Sequence, residues 1–219
     1  LRDLVARYYA ARAPEYDVSA GYTDRVAEQL RAPIKARFRE ALAGLDVLEV
    51  ACGTGYWTEV IAATARSVVA TDVNPGMVSR ARARLASRPN VRCQVADAYS
   101  FAGVSGRFTA AFSHWWWSHV PTSQLGLFLR ALHGKLEPGA LVLFADQLPY
   151  EHEHWRLDAH GDRVEERTLQ TGFAFEVVKN FPTEGQVRSA LRGRSEHVVY
   201  AQYPQQGLWE VRYRTAEKR

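Results

Sequence analysis

Residues 48–57 read LEVACGTGYW, and the reading of this run decides the fold. It closes a short apolar segment, LDVLEV (45–50), passes two glycines, and enters an amphipathic stretch, GYWTEVIAATA (55–65), at once. A strand that leads through a glycine turn straight into a helix makes a concave corner at the carboxyl edge of a sheet. Open α/β folds bind ligands at such corners, where the strand order reverses. Gly53 and Gly55 have no Cβ, so a ligand can approach the backbone and the chain can take positive φ. A Gly-x-Gly turn also serves tight packing alone, so its neighbours have to decide.

Outward from this run, strands and helices alternate. SVVATDV (67–73), VRCQVAD (91–97), FTAAFSH (108–114) and GALVLFAD (139–146) read as further strands. PGMVSRARARLAS (75–87) and TSQLGLFLRALHGKL (122–136) read as helices. The strands are nearly continuous apolar runs, as expected when helices cover both faces of a parallel sheet. A helix is expected over 23–43, capped by Thr23 or Asp24 and closed by Gly44. A shorter one opens the chain, with Leu4, Tyr8 and Ala11 on one face. Pro75 suits a first helical turn, and Pro138-Gly139 stops the helix before the fifth strand.

After Leu148 the pattern changes. DRVEERTL (162–169) and FAFEVVKNF (173–181) flank QTG as a hairpin, and TEGQVRSALRGR (183–194) is a short helix. HVVYAQY (197–203) and LWEVRYRT (208–215) are joined by so few residues that they must pair antiparallel. The expected fold is therefore α/β: a Rossmann-like, doubly wound, mostly parallel seven-stranded sheet with an antiparallel C-terminal pair and an inserted hairpin after strand five. The 219 residues are expected to form a single domain. In it, 1–44 supply N-terminal lid helices, 45–146 the cofactor-binding core, and 147–219 the substrate-side hairpin and C-terminal strands.

Two acids follow the next two strands at equivalent places. Asp72 ends the second, where a carboxylate can receive both hydroxyls of a ribose. Asp97 follows the third, where it can meet an adenine amino group. Either alone could be a cap or turn residue. With the glycine turn they resemble the class I S-adenosylmethionine-dependent methyltransferases of small-molecule type, over essentially the whole chain. The first strand of that family reads acid-apolar-Gly-x-Gly-x-Gly, and here Glu49-Val50-Ala51-Cys52-Gly53-Thr54-Gly55 places Ala51 at the first glycine. The resemblance implies S-adenosyl-L-methionine as cofactor, with S-adenosyl-L-homocysteine as product. It implies that Ala51, Cys52, Gly53 and Gly55 lie against the methionine part and that Asp72 holds the ribose. Val73, Asn74 and Met77 would border the adenine, Asp97 and Ala98 would meet its edge, and Glu49 would orient the loop or receive the ammonium through water. A nicotinamide-dependent dehydrogenase would want glycine at position 58, where Thr58 stands.

SHWWWSHVP (113–121) follows the fourth strand, so its loop opens on the same edge. If the segment is extended, Trp115 and Trp117 point one way and Trp116 the other. They are either core packing or a flat wall for an aromatic substrate, and His114 is the candidate catalytic residue and a cofactor neighbour. His119 fixes the loop by hydrogen bonding. The segment RYYAARAPEYD (7–17) resembles the Tyr-x-x-x-Ala-x-x-Tyr-Asp lid of small-molecule methyltransferases. That likeness puts Tyr9 at the substrate and Tyr16 at the cofactor, with Trp57 in the same lid. Asp146 and Phe181 are expected on the substrate side.

Methyl transfer from a sulfonium asks mainly for alignment and exclusion of water, worth up to about 7–11 kcal/mol in well-oriented systems. A neutral ring nitrogen needs little base assistance, whereas a phenol or enol oxygen would call on His114 or Asp146. The expected acceptor is small, planar and heteroaromatic, methylated on a ring nitrogen. The entry-segment tyrosines and WWWSHVP are similar to the bacterial azapteridine N-methyltransferases of toxoflavin-type antibiotic biosynthesis. O-methylation of a phenolic or enolic metabolite is the alternative, and an RNA methyltransferase the more distant one.

The net charge of +4 raises the RNA reading. Arg80, Arg84 and Arg88, however, recur opposite Met77, Ala81 and Leu85, as on a solvated helix face. No nucleic-acid partner is expected. The absence of an apolar run of about eighteen residues predicts no membrane span. LRDLVARYYA (1–10) has no signal-peptide pattern, and Cys52 and Cys93 lack metal-ligand spacing, which suits a reducing cytoplasm. His152, Glu153 and His154 carry no third ligand of clear spacing, so no metal is expected. Nothing in the sequence fixes the oligomeric state.

Overall fold

The computed structural model describes residues 2–216. A seven-stranded sheet in the order β3-β2-β1-β4-β5-β10-β9 forms its centre. Strands β1 (Asp46–Val50), β2 (Ser67–Asp72), β3 (Val91–Val95), β4 (Phe108–His114) and β5 (Leu136–Gln147) are parallel. The hairpin of β9 (Ser195–Tyr203) and β10 (Leu208–Thr215) closes the far edge, β10 pairing antiparallel with β5. The order reverses between β1 and β4, so the corner at 51–55 and the tryptophan loop open side by side.

Side chains alternate across this sheet into two cores. Val47, Ala110, Phe112 and Leu143 face helices α3 (Arg25–Ala41), α4 (Tyr56–Ala62) and α5 (Pro75–Arg84), where Phe38, Ile61 and Val78 are fully buried. Leu48, Val50, Ala111, Val142 and Phe144 face the other way, toward α6 (Leu125–His133) and α7 (Glu184–Leu191). Each large apolar side chain so buried contributes about 1.5–3 kcal/mol. Asp24 caps α3 by accepting from the amides of Val26 and Ala27, and Asn74 caps α5 by accepting from those of Gly76 and Met77. Strand β5 is longer than the sequence suggests. It begins at Leu136 and carries Pro138-Gly139 within it, where the β4–β5 register shifts.

The expected hairpin is one strand short of what forms. β6 (Trp155–Leu157), β7 (Arg163–Thr168) and β8 (Ala174–Val178) make a separate antiparallel sheet in the order β6-β7-β8. Helix α1 (Arg2–Arg12) packs against β8, with Val5 and Tyr8 buried beside Leu169, Val177 and Val178. Tyr8 does face inward, but Val5 is its buried companion and Ala11 lies exposed. A short helix α2 (Tyr16–Ser19) follows. No helix among the described residues is long and apolar enough to cross a membrane.

Candidate active site

The corner after β1 departs from ordinary backbone in three places. Ala51, Gly53 and Gly55 all have positive φ, at 54°, 56° and 81°. The two glycines do different work. A Cβ on Gly53 would meet only the Tyr16 ring at 3.8 Å, so the backbone there faces open space. A Cβ on Gly55 would lie 3.0 Å from Leu85 Cδ1 and 3.1 Å from Ala81, so this glycine lets α5 pack against the corner. The resemblance puts Gly55 against the cofactor; here it does not line the cleft, and its close approach is to α5.

A cleft of about 120 Å³ runs from this corner across the carboxyl ends of β2, β3 and β4. The structure brings Tyr9, Tyr16, Ala51, Gly53, Asp72, Val73, Asn74, Met77, Asp97, Ala98, His114, Trp115 and Trp116 together along it. Asp3, Val5, Ala6 and Tyr99 also line it, and the sequence reading missed them. Asp72 accepts from the amides of Gly53 at 3.0 Å and Asn74 at 2.8 Å, which aims its carboxylate along the corner. Burial nevertheless raises its pKa to about 6. Beside the cleft lies a small recess that shares Tyr16, Ala51 and His114 with it and adds Glu49, Cys52 and Trp57. These last three therefore face a side recess and not the main cleft. Trp57 packs edge-on against Phe38 in the core, so it belongs to no lid. Burial pushes Glu49 up to about 8 and Cys52 well above the usual thiol range.

The tryptophan loop does not stay extended. Trp115 takes a left-handed φ of 62°, and a short 3-10 turn spans Trp117–His119. The expected alternation is thereby broken. Trp115 and Trp116 both line the cleft, while Trp117 turns into the core against Phe144 and Trp209. His114 lies between Trp57 and Trp115, with ring centroids at 4.3 and 4.8 Å. Burial holds its pKa well below the ordinary value, so it is neutral and only weakly basic.

Two expected substrate contacts are elsewhere. Asp146 is fully buried and accepts from the amide and hydroxyl of Ser118 at 2.9 and 3.0 Å, and it pairs with Lys179 Nζ at 3.3 Å. It ties β5 to the tryptophan loop and does not reach the cleft. Phe181 packs edge-on against Tyr150 and lines a separate surface groove with Trp155. Asp146 stays on β5, where the tryptophan loop and Lys179 close over it, whereas the polar run after β5 folds into the small sheet and carries Phe181 away from the rim.

His119 joins α1 to the loop. Its Nδ1 is 2.6 Å from the Val178 carbonyl oxygen and so must carry the proton. Nε2 is then the acceptor for the Tyr9 hydroxyl at 2.8 Å. Tyr9, Trp115 and His119 also line a second, more open chamber of about 540 Å³ toward the small sheet. No group of three or more His, Cys, Asp or Glu that could hold a metal ion is present among the described residues.

This sheet order, with a cleft at its reversal point, is the arrangement that the resemblance to the class I S-adenosylmethionine-dependent methyltransferases implies. The residues fit that cofactor. Asp72 offers acceptors for vicinal hydroxyls. The buried Glu49 Oε2, His114 Nδ1 and Trp115 Nε1 have no hydrogen-bond partner and suit a polar amino-acid tail. Comparison with known proteins agrees. Residues 47–139 match the family described as methyltransferase domain. Structures of DhpI superpose over nearly the whole of both chains. Its complex with SAH gives a TM-score of 0.78 at 26% identity, covering 100% of this chain and 98% of that one. Its complex with SAM and HEP gives 0.77 at 28%, covering 97% and 96%. A protein-L-isoaspartate O-methyltransferase of Anaeromyxobacter dehalogenans is 34% identical over 93 residues, 38% of this chain and 44% of that protein. The chain spans less than half the length of the curated relatives it matches. The chain is thus similar to S-adenosylmethionine-dependent methyltransferases, in sequence over residues 47–139 and in fold over nearly its whole length, and these likenesses support S-adenosyl-L-methionine as the cofactor.

Proposed function

We propose that the protein methylates a small-molecule acceptor that enters through the outer chamber and reacts where chamber and cleft meet, at Tyr9, Trp115 and His119. The observation that carries this reading is that shared wall: the same three side chains line both spaces. S-adenosyl-L-methionine, when bound, supplies an activated methyl group. The chain's own part is to orient and to exclude water. Asp72 and the open face of Gly53 would hold the nucleoside, and the Glu49 recess the amino-acid end. The Tyr9–His119 hydrogen bond keeps the Tyr9 ring at the junction.

Neither His114 in the cleft nor His119 at the junction is a good base, because burial depresses both. The site therefore suits a nucleophile that arrives with a free lone pair. A ring nitrogen of a planar heteroaromatic acceptor, of the azapteridine kind, meets that condition and can lie against the Trp115 and Tyr9 faces. A second reading, methylation of an already ionised phenolic or enolic oxygen, is favoured by the cationic side chains Arg12, Arg167 and Lys179 in the chamber wall. The test is mass spectrometry after incubation with methyl-labelled cofactor and matched panels of nitrogen heterocycles and phenols. One labelled methyl on a heterocycle nitrogen is the expected result. Turnover of phenols alone would transfer the case to the second reading, and no product from either panel would overturn both.

A further inference from the structure

The outer chamber is more basic than anything the cofactor needs. Arg12, Arg167 and Lys179 line it, with Glu15 and Glu166 the only carboxylates in its wall among the described residues. Their pairings are unequal. Lys179 is matched one to one by Asp146. Arg163 and Arg167 share a single buried carboxylate, Glu165, at 3.1 and 2.7 Å. Arg167 spends Nε and Nη2 on Glu165 and on the Tyr150 hydroxyl, and its Nη1 makes no hydrogen bond to any described residue. Arg12 donates only Nε, to Ser19 Oγ at 3.0 Å, and no described carboxylate lies within 4 Å of it. Its guanidinium stands 5.0–6.0 Å from the rings of Tyr8, Tyr9 and Tyr16, which hold it toward the junction.

Uncommitted guanidinium N–H groups in a partly dry wall are what a planar oxyanion recognises, since the fork geometry of Arg matches two oxygens at once. A charge left without a counter-ion in such a place is costly, and a bound anion offsets it. We infer that the acceptor carries an oxyacid group, a carboxylate or a phosphoryl group, and that Arg12 and Arg167 hold it in the outer chamber. The inference rests on the proposed methyl-transfer reading for its orientation. It names the ligand chemistry of a space outside the cofactor cleft.

The test uses inorganic phosphate and acetate as probes, each titrated calorimetrically into the protein with and without SAH. One saturable site is expected, and the anion that binds at least tenfold tighter identifies the oxyacid. Arg12→Gln, at a half-exposed position, is expected to weaken that anion at least tenfold. Arg167→Lys keeps the charge on Glu165 but loses the fork, and is expected to weaken it at least threefold. Arg66→Gln, at a remote surface pair with Asp46, should leave it unchanged. No saturable binding of either anion, or affinities within twofold of the parent in both chamber variants, would overturn the inference. SAH affinity measured on the same samples separates the two readings. Loss of SAH binding would count against the methyltransferase site, while the anion result stands by itself.

Discussion

Asp72 offers a sharp quantitative test of the cofactor site. Its carboxylate is held by two backbone amides, yet burial lifts its pKa to about 6. Hydroxyls of a ribose bind the ionised form. A raised pKa means the folded protein holds the proton more tightly, so the binding-competent form is complete above this value and lost as pH falls through it. The observed dissociation constant should scale as one plus ten raised to the power of pKa minus pH. That is nearly flat from pH 8 to 7, about twofold weaker at pH 6 and about elevenfold weaker at pH 5, a change of about 1.4 kcal/mol per tenfold. Glu49, pushed up to about 8, would obscure the curve for a ligand with an amino-acid tail. Adenosine lacks that tail and isolates Asp72. Calorimetric titration at fixed ionic strength, with circular dichroism confirming the fold at each pH, reads the curve directly. A flat adenosine affinity between pH 8 and 5, or an Asp72→Ala variant that binds as the parent does, would refute the reasoning.

Gly55→Ala should cost about 2–4 kcal/mol in urea unfolding, from its positive φ and the 3.0 Å approach to Leu85, whereas Gly44→Ala, equally left-handed but with nothing within 4 Å, should cost about 1. Lys179→Met should lose about 3–5 kcal/mol, because it leaves Asp146 charged and buried; a loss under 1 kcal/mol would show the pair to be dispensable. Trp117→Ala should destabilise by about 3–5 kcal/mol with SAH affinity retained in the folded fraction, while Trp115→Ala should spare the melt and depress turnover. Arg84→Ala removes the 2.7 Å pair with Asp17, worth about 0–1 kcal/mol at this half-exposed site, and should speed SAH release up to about fivefold in stopped-flow displacement; an unchanged rate would detach α2 from cofactor retention.

The parallel sheet was legible because helices cover both of its faces, so most of its strands show as nearly continuous apolar runs, β3 (VRCQV) least so. The glycine corner and Asp72 were legible because strand, turn and acid repeat at fixed topological positions. What the sequence hid had a local cause in each case. Three tryptophans look alike until Trp115 adopts φ 62°, and that one left-handed residue sends Trp117 into the core. Asp146 reads like Asp72, an acid at a strand end. It sits two strands from the reversal point, where the tryptophan loop and Lys179 close over it. Arg84 reads as a solvated helix face, but its guanidinium reaches Asp17 and the Thr54 carbonyl and so fastens the N-terminal segment to the corner. The basic chamber wall escaped notice because Arg12 and Arg167 are more than 150 positions apart in sequence, and only the packing of α1 on β8 sets them around one space.

That packing also explains how a thin N-terminal segment can serve two spaces. The α1–β8 contact rests on a satellite cluster of five buried residues, separate from the two main cores. Small apolar contacts of this size give the low-stability end of a fold, where elements open without global unfolding. Two polar pins add direction to it: Tyr9 on His119 at the chamber side, and Asp17 on Arg84 and Thr54 at the corner. The first pin ends on the loop after β4, and the second on Thr54 in the corner after β1 and on Arg84 at the end of α5. The segment is therefore registered to the point where the strand order reverses and not to the sheet as a whole. Arg12 lies on the same helix as Tyr9, so in the proposed reading one element would hold both the acceptor's oxyacid group and the ring at the junction. In the proposed reading, alignment of donor and acceptor would follow from where α1 sits, and a site without a strong base would need little more for the transfer.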